Sequence, residues 1–173
     1  MADYPWYESV SGSELAQGDC IPNCPILKPQ YDSALTRDDD PPGIVLKSDV
    51  AIYDCVIMTQ ACDLEQEKVE DVVLCPYQDL GSFLTDHPKY STEKMRRGDM
   101  PGFHMLNECP DPAMRVSVVT FHEIFSVPKG FLEGLAEMRG PRPRLLPPYR
   151  EHLSQAFARY FMRVGLPLEI TGL

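Results

Sequence analysis

Residues 51–59 read Ala-Ile-Tyr-Asp-Cys-Val-Ile-Met-Thr, a β-branched-rich run that is apolar almost throughout. Such a run bounded by polar sequence predicts a central, buried strand. Working outward, Val72–Cys75 predicts a second strand that stops at Pro76, because proline cannot donate to a ladder. Ile44–Leu46, Phe103–Leu106, Val116–Phe121 and Glu123–Val127 add shorter strands. Cys20–Leu27, interrupted by Pro22 and Pro25, reads as an edge strand with a bulge or break. The chain has 173 residues, the size of one domain, and 17 prolines, which favour loops and short elements. Many short strands with late helices predict a mainly β, α+β domain in the form of a small barrel.

The periodicity divides the chain into three parts. Residues 1–17 form an N-terminal arm with aromatic anchors. Residues 18–138 carry the barrel, with a polar insertion at about 78–102. Within the insertion, Thr92–Arg97 predicts a short helix capped by Ser91 and closed by Gly98. Residues 28–43, with Asp38-Asp39-Asp40-Pro41-Pro42-Gly43, read as a solvated loop, and Phe131–Met138 as a helix. Residues 139–173 form a Pro/Arg-rich linker and a C-terminal amphipathic helix over about 149–164. Tyr149, Leu153, Ala156, Phe157, Tyr160 and Val164 fall on one face of that helix, which is therefore its core side.

Acidic residues outnumber basic ones by ten, and a uniformly acidic surface repels nucleic acid and anionic lipid. The N-terminal residues have no basic start followed by an apolar stretch, and no apolar run is long enough to span a bilayer. A cytoplasmic protein without a membrane partner is expected. The six cysteines are then expected to be reduced thiols.

The order of pieces around the first strand is similar to that of MazF/PemK-type toxins. A Gly18-Asp19 opening comes first, then a long loop, a strand ending in Thr59, a strand ending at Pro76, an insertion and a Val-rich strand. A helix of type PKGFLEGLAE closes the series. The resemblance covers residues 18–138 and implies an SH3-like, PemK-like β-barrel with a terminal helix. The strings TQACDL at 59–64 and LSQAFARYF at 153–161 resemble small uncharacterised bacterial proteins with a TQxCDL signature. That likeness carries no activity.

TQACDL is the richest stretch for chemistry. Asp63 and Gln66 make a D-x-x-Q capping pattern, so a helix is expected to begin at Leu64. Cys62 would then sit before a helix N-terminus, where amide donors and the helix dipole favour a thiolate. Thr59, Cys62 and Asp63 are accordingly the catalytic candidates; the alternative is a small buried Cys62 beside a structural cap. Cys20 and Cys24 have C-x₃-C spacing, and Cys62, Cys75, Cys109 or His104 would complete a zinc site. No second paired knuckle accompanies them, so neither a metal nor any other cofactor is expected. The toxin resemblance implies a ribonuclease with Thr59 and a first-loop arginine. Only Arg37 is available there, beside three aspartates, which would weaken its stabilisation of a phosphorane. His87 and His122 read as surface or core residues.

Six arginines and a single acid, Glu151, lie between Arg139 and Arg163, making this segment net +5 in a chain of net −10. Arginine suits bidentate contact with carboxylate or phosphate. Internal pairing with the acidic remainder is one outcome, and a docking surface is the other. His152, Arg159 and Arg163 share a narrow arc of the last helix beside its apolar face, and with Arg150 they are the binding candidates. Ala158 and Met162 lie opposite the core stripe, where polar residues are expected, which favours a contact surface. The function expected is a small cytosolic binding or accessory module in a defence or toxin–antitoxin-like system. Its partner would be another protein or a second copy of itself. The alternative is a PemK-like ribonuclease or a Cys62-dependent enzyme.

Overall fold

The structure is a computed structural model that describes residues 4–30 and 47–162. The expected strand at Ile44–Leu46, the acidic loop with Arg37, and residues Arg163 and Val164 lie outside the described residues. The fold is mixed α and β, and its strand pairings are antiparallel. A six-stranded sheet has the order β2-β3-β4-β6-β5, with β7 also pairing β4. Its strands are β2 (Cys20–Gln30), β3 (Lys47–Ile57), β4 (Asp71–Asp79), β5 (Phe103–Leu106), β6 (Ser117–Thr120) and β7 (Phe125–Pro128). Among the described residues no strand pairing joins β2 to β5, so the sheet is not closed.

The run that opened the reading becomes β3, an interior strand. Its second half, Cys55 to Ile57, is fully buried, while Val50 and Ile52 in the first half are exposed. The break expected in β2 is a register shift between Ile21 and Cys24. Asn23 there takes a φ of +51°, and its N–H donates to the Asp54 carboxylate at 2.8 Å.

Pro76 does not end β4; the strand continues to Asp79. Val73 directs both its main-chain groups at the β3 side, to Met58 and Thr59. By strand alternation Pro76 turns its nitrogen to the opposite side. The partner there is interrupted, because Phe121–Ile124 separates β6 from β7 opposite Cys75 and Pro76. A missing N–H costs nothing where the ladder is already broken.

The insertion is more ordered than expected. α2 (Leu80–Asp86) precedes α3 (Thr92–Arg96). Asp79 caps α2 by accepting from Ser82 N–H at 3.0 Å, and Ser91 caps α3 as its sequence predicts. α4 (Lys129–Arg139) follows β7 and buries Leu132, Leu135 and Ala136.

The N-terminal arm and the proline-rich linker form structure together. β1 (Tyr7–Val10) pairs with β8 (Arg142–Leu145) in a separate two-stranded ladder, where Pro143 sits opposite Ser9. A ladder with only two strands leaves an open edge that tolerates proline. Arg142 and Arg144, two apart on β8, clamp Asp19, which is fully buried. Gly18 makes this possible: its φ is +87°, and a Cβ there would lie 2.8 Å from Leu145 Cβ.

α5 (Tyr149–Phe161) closes the chain within the described residues. Leu153 is fully buried, and Tyr149, Ala156, Phe157 and Tyr160 pack on the core cluster around Val56, Val119 and Phe121. The predicted core face of the helix is therefore the observed one. No helix among the described residues is long and apolar enough to cross a membrane.

Candidate functional site

α5 lies beside β5, the last strand of the sheet, and α3 faces it from the insertion. Between them runs a groove of about 870 Å³. One turn after another, α5 contributes Tyr149, His152, Ala156 and Arg159, the i, i+3, i+7 and i+10 positions of one helical face. β5 and the residue after it, 103–107, form another wall, with His104 and Asn107 as its polar members. Arg96 and Arg97, at the end of α3, complete it. Trp6 reaches the groove from the N-terminal segment and stacks on Tyr149, with ring centroids 3.8 Å apart.

The electrostatics of this groove oppose those of the chain. Three guanidinium groups and two imidazoles line it, and among the described residues no Asp or Glu does. Glu93 partly neutralises Arg96 and Arg97, at 3.9 and 2.8 Å, from outside the lining. Arg159 makes no ion pair among the described residues. Burial pushes the His104 imidazole down to about 4, and His152 adds to the shift. His104 is therefore neutral at pH 7, and among the described residues no hydrogen bond engages its ring.

The basic segment has divided its work. Arg142 donates to Asp19 at 2.9 Å and to the Gly12 carbonyl at 2.8 Å, and Arg144 shares the same carboxylate. Arg139 donates to the Asn23 carbonyl, and Arg150 pairs with its neighbour Glu151 at 2.7 Å. Of the four binding candidates, the structure brings His152 and Arg159 together in the groove. Arg150 does not line it, and Arg163 lies outside the described residues.

The TQACDL residues do not converge on this or any other groove described here. Thr59 Oγ1 accepts the Val73 N–H at 2.8 Å and so extends the β3–β4 ladder by one bond. α1 (Ala61–Glu65) begins three residues earlier than the capping pattern predicts. Its N-cap is Gln60, without a side-chain bond, and Asp63 lies inside the first turn. The D-x-x-Q pattern loses because the Asp63 and Leu64 N–H groups already donate to the Gln60 carbonyl, which puts Asp63 inside the helix. Cys62 is exposed, with Sγ 3.7 Å from Gln60 Oε1 and 3.8 Å from Asp63 Oδ1.

The metal candidates are likewise separated. Cys20 and Cys24 are both buried but belong to different core clusters, while Cys62 is on the surface. All six cysteines are free thiols. Burial first, and Asp19 second, push the Cys20 thiol up, and burial pushes Cys75 up to about 12. Among the described residues no group of three or more His, Cys, Asp or Glu side chains is placed to hold a metal ion.

Sequence reasoning did not place His104, Trp6, Arg96 or Arg97 in the site. They come from three separate parts of the chain, and only the alternation of Phe103-His104-Met105-Leu106 could have marked His104 as facing a different side from Phe103. Compared with known proteins, the chain matches no protein-family model and no curated sequence.

Proposed function

We propose that this chain is a small non-catalytic binding module of the bacterial cytosol, an accessory protein that captures an acidic segment of a partner protein between α5, β5 and α3. The observation that carries the reading is an acid-free groove lined by Arg96, Arg97, Arg159, His104 and His152 in a chain of net charge −10. A cationic cleft in an acidic protein attracts anions locally while the rest of the surface repels them. Arginine forks suit carboxylates, and the Trp6–Tyr149 stack gives an adjoining apolar body for the partner's side chains. RNA is the weaker anion for this surface, since most of its length would face acidic protein. A contact between two copies of the chain, and a role in a defence or toxin–antitoxin-like system, belong to the same reading.

The finer architecture belongs to it too. An antiparallel six-stranded sheet with a terminal helix supports an SH3-like, PemK-like barrel that strand pairing leaves open. The isolated bridge between Asp19 and Arg144, which ties β8 to the start of β2, supports a barrel wall continued by β8.

Fluorescence anisotropy with a labelled glutamate-rich peptide tests the function. Binding is expected to weaken with salt, and Arg159→Ala is expected to weaken it about five- to tenfold, an effect of ~1 kcal/mol or slightly more. Equal affinity of wild type and variant would end the proposal, and tighter binding of an RNA oligomer would replace the protein partner with nucleic acid.

A further inference from the structure

A second groove, of about 560 Å³, lies over β3, β4 and β6 beside α2, and its chemistry is the reverse of the first. Its walls are rings. Tyr53 comes from β3, Phe83 from α2, Tyr90 from the segment after it, and Phe103 from β5. Tyr77 of β4 also borders the groove, but its pairing with Asp54 turns its ring to the other face of the sheet, into the cluster with Val56 and Val119. Phe83, Tyr90 and Phe103 brace one another with centroids 5.0 to 5.9 Å apart. Phe83 and Phe103 are core residues, but Tyr53 is half-buried and Tyr90 is 38% exposed, so ring surface remains open to solvent. Asp54 and Glu123 are the carboxylates of the lining, and among the described residues no Lys or Arg contributes to it.

Aromatic faces carry negative charge density and attract cations held within about 6 Å of the ring centroid. This fold already does so once at the rim. Lys28 Nζ lies 4.7 Å from the Tyr53 centroid and 5.8 Å from that of Phe125, with Glu123 Oε2 3.2 Å away. Lys28 lines the neighbouring groove rather than this one. A lysine ammonium is strongly hydrated and has three N–H groups to satisfy. A quaternary ammonium has none, and it gives up little hydration when it moves against a wall of rings.

We propose that the groove binds a small organic cation bearing a quaternary ammonium group, seated between Tyr53 and Tyr90 with Glu123 as its counter-charge. His87 and His122 also line the groove, and Asp54 is held by the Asn23 N–H. The site is independent of the anion groove and of the function proposed for it.

The test titrates choline, tetramethylammonium and 3,3-dimethylbutanol into the full chain at pH 8, following the tyrosine ring resonances by NMR. The last compound is the uncharged carbon isostere of choline. Both cations are expected to shift Tyr53 and Tyr90 saturably, and the isostere to bind about fivefold or more weakly, as a cation–ring attraction requires. Tyr90→Leu keeps apolar bulk but should lose the cation preference. Lys28→Met removes the internal competitor from the Tyr53 face and leaves the wall intact, so it should tighten choline binding roughly two- to fivefold. Equal binding of the isostere, absence of saturable shifts, or weaker binding by Lys28→Met would each overturn the proposal.

Discussion

Asp19→Asn should be among the most damaging isosteric changes in this protein. The Asp19 side chain is fully buried, and the Arg142 side chain is 2% exposed. Oδ2 accepts from Arg142 Nε at 2.9 Å, Arg144 Nη2 at 3.0 Å and Ala16 N–H at 3.2 Å, while Oδ1 accepts from Arg144 Nε. An asparagine can keep its oxygen at the three-acceptor position, so only one hydrogen bond is lost outright. The larger loss is charge. Arg142 would keep the Gly12 and Glu14 carbonyls but no anion. Breaking a buried pair from one side costs about 3–5 kcal/mol, against ~5–15 kcal/mol for a whole domain. Arg144, at 15% exposure, can recover part of its share from water, which favours the lower end. For a domain of this size the loss corresponds to a fall in Tm of roughly 6–20 °C. Urea unfolding followed by the single tryptophan reads both parts of the claim, because Trp6 stacks on Tyr149 beyond the clamped segment. A midpoint shift worth less than about 1 kcal/mol, with unchanged tryptophan emission, would refute the reasoning, since it would mean that the clamp is solvated and worth a surface pair.

Three further outcomes follow from the geometry. His104 has a folded-state value lowered to about 4, so its stabilising contribution is fully present above ~6.5 and is lost as pH falls through 4. Between pH 7 and 4.5, wild type should therefore lose about 1–3 kcal/mol more in urea melts than His104→Gln, and equal losses would contradict the assigned burial. Asp79→Ala should cost ~1 kcal/mol by uncapping α2, whereas Asp63→Ala should leave the denaturant midpoint nearly unmoved; reversed sensitivities would restore the cap expected at Asp63. Thr59→Val should cost about 1 kcal/mol by removing the acceptor of the Val73 N–H, while Cys62→Ser on the exposed surface should cost almost nothing. A chevron or equilibrium melt that ranks these two the other way would show that the thiol is part of the core.

The elements that were legible in the sequence are those whose signal is local. β3 follows from its β-branched run, α3 from Ser91 and Gly98, and α5 from the spacing of Leu153, Phe157 and Tyr160. α2 was hidden because Leu80–Asp86 includes a glycine and offers few periodic positions, and its cap, Asp79, closes a strand at the same time. β4 was cut short at Pro76 because the interruption of its neighbour at Phe121–Ile124 is a property of pairing, not of either segment. The clamp had a visible trace: Arg142 and Arg144 alternate around Pro143 and so share one face of a strand. Identifying their partner required the β8 pairing that brings Asp19 between them. The groove was half legible. His152 and Arg159 share a helical face at i and i+7, but His104, Trp6 and Arg97 join them only through tertiary contact.

The central claim is that an acidic segment binds between α5, β5 and α3, and chemical-shift mapping of a glutamate-rich peptide on the labelled chain tests it at residue resolution. The account predicts that the largest perturbations fall on His104, His152, Arg159 and the Trp6 indole, and that they vanish in Arg159→Glu. Perturbations centred on the β2–β3 face, or unchanged in the variant, would contradict it.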